Sequence, residues 1–329
     1  MDRKFRIKGM LKEHYNIHAR HIEQLPGGWS ALAYLITDYR QKYFLKVYDK
    51  RRAAAKLWID AIDRYIPLVD WLQHHTVLKH HLAQSLLTKT KQHYCEDREY
   101  VYLLSEFVEG YTIGGNVLNL YQVNELAKIL GTLHSSTAHV PPNLIQPQTQ
   151  ENFNTDFCDA FSSFIKHDLT SIHDNVLRVV RPFKQELMSS INRMKYLSNK
   201  LKQKSLPFVL CHADPHNWNI IQGRNLMLID WECVTIAPKE QDLILHITPP
   251  YARQFIMEYK KYMPYQSLDL DAFEFYFLKR RLGDIWEWIK DLRYQQNIKS
   301  EDTVLKFLKL NIVDCTKRAR FRAFLQPLI

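Results

Sequence analysis

The sequence predicts an α+β fold in two lobes, a small antiparallel-sheet N-lobe over residues 1–108 and a larger, mainly helical C-lobe over 109–329. Three observations carry this. Short β-type runs bounded by turn residues crowd the first 108 positions. Beyond them apolar residues recur at helical spacing, as at Val123, Leu126, Ala127, Leu130 and Leu133. The helical part is interrupted over residues 206–230 by a strand, a polar loop, a second strand, a turn and a third strand ending in Asp230.

Taken in order, the opening 17 residues set Phe5, Ile7, Met10 and Leu11 among cationic side chains and read as a helix. Residues 21–25 start a strand that Pro26-Gly27-Gly28-Trp29-Ser30 breaks. Residues 31–37 resume it, Asp38-Tyr39-Arg40-Gln41 turns, and 42–48 alternate as the next strand. The glycine pair can bring backbone N–H groups close to an anion because it lacks Cβ atoms, and Ser30 adds a hydroxyl donor. Lys46 lies inside the apolar run Tyr43-Phe44-Leu45-Lys46-Val47-Tyr48, where an ammonium is costly unless it has a partner. The helix from about residue 51, which Pro67 is expected to end or bend, contains no Glu. Asp63, or failing it Asp60, is its carboxylate for Lys46. Residues 82–89 and 99–107 read as two more strands, with Cys95-Glu96-Asp97-Arg98 turning between them. A helix follows over 121–135, then a loop marked by Pro141, Pro142 and Pro147. Two or more helices over 156–201 and a helical, aromatic-rich stretch over 239–329 complete the chain.

Composition narrows the class. Apolar residues make up 46% and charged residues 24%, ordinary for a globular protein with ample core. No run approaches the ~18 apolar residues of a membrane span, and the first residues lack the apolar stretch of a signal peptide. The five cysteines form no C-x-x-C pair and read as reduced, mostly buried thiols of a cytoplasmic protein. A net charge of +10 would suit nucleic acid, yet the cations are spread along the chain in short clusters that read as solvated helix faces. Neither nucleic acid nor membrane is therefore expected as a partner, and the oligomeric state is left open.

The chemistry lies in the interruption. His212-Ala213-Asp214 through Asn219 has the pattern His-x-Asp-x-x-x-x-Asn, and Asp230 ends an apolar strand eleven residues beyond the Asn. Phosphoryl transfer needs this set, with one carboxylate to orient the attacking hydroxyl and an amide oxygen plus a second carboxylate to hold Mg2+. Asp214 is then the catalytic candidate, and Asn219 and Asp230 are the metal ligands. His212 braces the loop, and Asp242 organises it from a helix start. In a kinase layout Lys46 steadies the α- and β-phosphates of ATP or GTP and Ser30 adds a phosphate contact. Residues 105–110 become the hinge, where the backbones of Glu106 and Val108 meet the adenine edge.

Three segments carry a family resemblance: Cys211-His212-Ala213-Asp214-Pro215-His216-Asn217-Trp218-Asn219, Leu228-Ile229-Asp230-Trp231-Glu232 and Ala237-Pro238-Lys239-Glu240-Gln241-Asp242-Leu243. They resemble the catalytic and metal-binding segments of the aminoglycoside phosphotransferase and choline kinase family, which has a protein-kinase-like fold. Protein kinases usually have Arg before the catalytic Asp and Asp-Phe-Gly at the metal site. Ala213 and Asp230-Trp231-Glu232 favour the small-molecule branch. The first and third segments, with Arg280-Arg281-Leu282-Gly283-Asp284-Ile285, are most similar to the spectinomycin phosphotransferases.

The resemblance implies a cytoplasmic kinase that uses ATP or GTP and magnesium to phosphorylate a hydroxyl of a small molecule, first among them an aminoglycoside-like antibiotic. A metabolic kinase of choline, homoserine or a thio-sugar stands as the alternative. A nucleotide-binding pseudokinase is the third reading, kept open by the helix that lacks Glu. A cationic acceptor would want carboxylates and aromatic faces, for which Asp284, Trp286 and Glu287 are candidates, with Asp156. Trp286 and Trp288, two apart, cannot share one helix face.

Overall fold

The computed structural model describes residues 3–26, 31–146, 149–168, 174–265, 267–294 and 300–329. The chain packs into two units, 1–149 with 212–235, and 150–211 with 236–329. The lobe boundary expected at residue 108 falls inside the first unit.

The first unit begins with α1 (Arg3–Met10), widened into a π turn over Leu11–Tyr15. Next come β1 (His21–Leu25), β2 (Leu32–Thr37), β3 (Lys42–Asp49), α2 (Ala53–His75), β4 (Cys95–Glu96) and β5 (Tyr100–Glu106). These strands form one antiparallel sheet in the order β1-β2-β3-β5-β4. Alternation decides its faces. Tyr43, Leu45 and Val47 of β3 join Ile7, Leu11, Ile36 and Leu104 in one buried cluster, each such side chain worth roughly 1.5–3 kcal/mol on burial. Lys46 and Tyr48 stand on the opposite face because side chains alternate along a strand.

Two expectations change here. Residues 82–89 are not a strand. They meet β5 at separate points, where Leu86 N–H donates to the Leu104 carbonyl (2.8 Å) and Glu106 N–H to that of Gln84 (2.9 Å). The edge strand is β4, within the expected turn, with Cys95 opposite Tyr102. The cause is Asp97, whose carboxylate accepts from the N–H groups of Glu99 (2.7 Å) and Tyr100 (2.8 Å) and from the Tyr102 hydroxyl (2.8 Å). That tightens the turn onto residues 97–99 and leaves Cys95 and Glu96 to pair. Of the two outcomes named for Pro67, an end or a bend, the end does not occur, since α2 runs through it to His75.

Beyond β5 come β6 (Tyr111–Thr112) and α3 (Leu120–Ser135). Asn119 and Gln122 close a reciprocal capping box at the start of α3. In the second unit lie α4 (Asp156–Ser163), α5 (Asp174–Val180), α6 (Lys184–Lys202) and β7 (Phe208–Cys211). The chain returns to the first unit for β8 (Ile220–Gln222) and β9 (Leu226–Leu228), which form a small sheet in the order β6-β8-β9. It ends with β10 (Thr235–Pro238), paired to β7, then α7 (Glu240–Leu243), α8 (Ala252–Lys260), α9 (Leu270–Tyr294), α10 (Glu301–Thr316) and α11 (Arg318–Leu325). Helix α9 is the second unit's axis, packing on α4, α6, α7, α10 and α11. Its buried Glu274 takes two bonds from Arg193 of α6 (2.9 and 2.7 Å) and one from Arg322 of α11 (2.7 Å). No helix among the described residues is long and apolar enough to cross a membrane.

Two glycines let β6 reach β8. Gly110 has φ +151°, and a Cβ there would lie 2.4 Å from the Gln222 carbonyl oxygen; one on Gly223 would lie 2.3 Å from that of Glu109. Gly110→Ala is therefore expected to cost about 2 kcal/mol or more, read in thermal unfolding as a Tm lower by about 4 °C. An unchanged Tm would show that this backbone contact is not needed.

Candidate active site

The loop after His212 is held by its own backbone. His212 is buried, with Nδ1 accepting from the Asp214 N–H (3.3 Å) and Nε2 3.0 Å from the Ile229 carbonyl. With Nδ1 accepting, the nitrogen that donates to the Ile229 carbonyl is Nε2. The ring also meets Trp231 edge-on, centroids 4.6 Å apart. Ala213 turns through φ +69°, a left-handed conformation costing a non-glycine residue about 1–2 kcal/mol. His216 N–H donates to the Asp214 carbonyl (2.9 Å) and Asn219 N–H to that of His216 (2.7 Å). Asn219 Nδ2 also donates to the Asp214 carbonyl (2.9 Å), which leaves Oδ1 as the amide atom able to face a cation.

The end of β9 is tied to this loop by a bond from Ile229 N–H to the Asn219 carbonyl (3.0 Å). Asp230 follows in a second left-handed turn, φ +71°. Its Oδ1 lies 2.6 Å from Lys46 Nζ, and Glu232 Oε1 lies 2.6 Å from the same ammonium. Tyr48 donates its hydroxyl to Glu232. Burial works against the Lys46 charge, but the Asp230 and Glu232 carboxylates outweigh it and hold its pKa well above the ordinary value. Burial likewise pushes Asp230 up, and the Lys46 ammonium more than reverses it, so its carboxyl sits below the usual range. Tyr48 and Tyr65, beside this group, are raised by burial and remain neutral phenols.

Thus the structure brings Lys46, Asp214, Asn219 and Asp230, all expected from the sequence, into one unit with direct ties between neighbours. The partner of Lys46 is a correction. Asp63 is exposed and lies by the Tyr94 hydroxyl, while Asp60 pairs with Lys56 (2.8 Å). Tyr65 takes the buried side of α2. Asp63, two residues earlier and roughly 200° around the helix, points away. Glu232 fills the expected carboxylate role. The sequence signal for it was Asp230-Trp231-Glu232, where Trp231–Cys233 make a single tight turn. His216 Nε2 stands 3.4 Å from Asp214 Oδ2.

Ser30 lies outside the described residues. Glu106 ends β5 and donates its N–H to the Gln84 carbonyl; Val108 follows two residues on, half-buried. In the second unit Asp242 is fully buried in α7. Asp284 pairs with Arg280 (3.3 Å) and Glu287 with Lys290 (2.8 Å), both along α9. Trp286 stacks on Phe161 (5.4 Å) and Trp288 on Phe307 (5.6 Å), on separate faces as expected. Asp156 is exposed at the start of α4 and accepts from the Asn154 amide (2.5 Å). Each of these acceptor-site candidates already has a partner close in the chain or, for Trp286, in packing.

A family model described as the phosphotransferase enzyme family matches residues 21–276. No curated protein sequence matches the chain. Among solved structures, a spectinomycin phosphotransferase in complex with ADP and spectinomycin is similar at 19% identity, covering 96% of this chain and 98% of its own, with TM-score 0.77. A choline kinase from Streptococcus pneumoniae is 17% identical over 95% of this chain and 99% of its own, TM-score 0.62. An amicoumacin kinase in complex with AMP-PNP, calcium and Ami is 15% identical over 97% of this chain and 94% of its own, TM-score 0.62. At such identities the likeness establishes the fold, which is protein-kinase-like.

Proposed function

Because the chain belongs to the phosphotransferase enzyme family and is thereby a small-molecule phosphotransferase, we propose that it transfers the γ-phosphate of ATP or GTP to a hydroxyl, with magnesium. The observation that carries this is the ammonium of Lys46 on Asp230, in the same unit as Asp214 and Asn219. Asp214 orients the acceptor hydroxyl and takes its proton as the new O–P bond forms. Lys46 holds α- and β-phosphate oxygens, its charge secured by the two carboxylates. Asn219 Oδ1 and the Asp230 carboxylate, with Glu232 beside them, would hold magnesium. An all-oxygen donor set suits that hard cation, and the Asn219 nitrogen is already turned away onto a carbonyl. Bound there, magnesium would neutralise phosphate charge. His216 flanks Asp214, and His212 keeps the loop in shape.

Residues 1–108 serve in this reading as the nucleotide lobe, with the Glu106 carbonyl and Val108 N–H toward the adenine. An aminoglycoside-like acceptor is favoured by the spectinomycin phosphotransferase likeness, which has the higher TM-score of those described. A metabolic small-alcohol acceptor is supported by the choline kinase likeness over almost all of both chains. Turnover of magnesium-ATP and magnesium-GTP should be assayed with spectinomycin, hygromycin B, choline and homoserine. Release of the nucleoside diphosphate, ADP or GDP, that depends on one acceptor is the expected result. Nucleotide binding without turnover on any acceptor would favour the pseudokinase, and no nucleotide binding would end the proposal.

A further inference from the structure

The catalytic loop carries a tryptophan that the proposed chemistry does not use. Trp218 stands between Asn217 and Asn219, and 65% of it is exposed. The fold holds it there. Gly114, at φ +59°, lies under the ring so closely that an added Cβ would be 3.2 Å from it. Gly114 N–H donates to the Asn217 carbonyl (2.9 Å), Ile113 N–H to that of Ile220 (3.0 Å), and Asn217 Nδ2 to that of Asn116 (2.8 Å). Strand β6 packs on the Asn217–Asn219 turn. The loop over 110–119 and the catalytic loop are therefore one hydrogen-bonded body.

The 110–119 part of that body carries no charged side chain. Residues 110–124 contain no Asp, Glu, Lys or Arg. Val117 is 77% exposed, and Tyr111 and Tyr121 are more than half exposed. A polycation would find no carboxylate along this stretch, whereas an apolar ring would find an aromatic face. Resting on the phosphotransferase reading, we propose that Trp218, seated on Gly114 of the tethered loop, is a specificity-determining platform. It receives an acceptor that carries a flat, uncharged aromatic or apolar ring next to the hydroxyl to be phosphorylated. The covalent neighbourhood sets the occupant. A ring stacked on Trp218 has its hydroxyl arm delivered to the loop that bears Asp214, four residues earlier.

The test uses p-nitrophenyl β-glucoside against methyl β-glucoside, which share their sugar hydroxyls and differ in the ring. Binding is measured by calorimetry with magnesium and AMP-PNP present. The full chain is expected to prefer the aryl compound at least tenfold. Trp218→Ala should abolish the preference, and Trp218→Phe should keep part of it. Gly114→Ala, which leaves the indole in place but crowds its seat, should weaken it. Equal binding of the two glucosides, absence of binding by both, or a preference that survives Trp218→Ala would overturn the platform. Titration with AMP-PNP alone separates the two ideas: nucleotide binding without aryl preference sinks only this inference, and failure of nucleotide binding sinks the phosphotransferase reading beneath it.

Discussion

Asp214→Asn is expected to lower kcat by about 10³ to 10⁴, the scale of a lost general base, with Tm changed by only about 2 °C or less. The separation of activity from folding follows from how the loop is held. Its shape rests on the Asp214 carbonyl, which accepts from His216 N–H and Asn219 Nδ2, and on the Asp214 N–H, which donates to His212. Asparagine keeps both backbone groups, and with them all three bonds, at nearly the same volume. It loses the negative charge that accepts a proton and faces His216 at 3.4 Å. Acceptor-dependent nucleotide consumption, measured beside thermal unfolding, checks both halves. A kcat within tenfold of the unsubstituted enzyme would remove Asp214 from the role of base.

The parts of this molecule legible in its sequence are those written locally. The strand expected over residues 21–25 is β1 and the helix expected over 121–135 is α3, almost to the residue, because strand runs and helical spacing are decided by neighbours. Asp214, Asn219 and Asp230 lie on one loop and hairpin tied by short-range bonds, which is why their spacing is local information. The partner of Lys46 could not be read this way. Glu232 lies 186 residues along the chain from it, and nothing local tells that carboxylate from Asp63, which helix order alone had favoured. The turn of α2 decides it, by giving the buried side to Tyr65. The same limit explains β4. A two-residue strand has no periodicity to detect, and it exists because Asp97 gathers three donors behind it.

Asp230 offers the second large effect, and its backbone makes the experiment sharper than a single substitution. The residue sits at φ +71°, ψ +61°, a region that asparagine visits readily and alanine does not. Asp230→Asn therefore keeps the turn, and Lys46 keeps Glu232 as an anionic partner at 2.6 Å. What is lost is one of the two carboxylates facing that ammonium and the charged ligand proposed for magnesium. Turnover is expected to fall by about 10³ or more, in line with the loss of preorganised charge stabilisation, while nucleotide affinity becomes less responsive to added magnesium. Asp230→Ala should lose as much activity and a further ~1 kcal/mol of stability, because a Cβ without a polar side chain gains nothing in the left-handed turn. Comparing the two Tm values isolates the backbone contribution from the charge. Equal stability of the asparagine and alanine variants would mean the turn carries no strain. Turnover kept within tenfold in Asp230→Asn would show that the charge beside Lys46 is structural and that the metal, if bound, is held elsewhere.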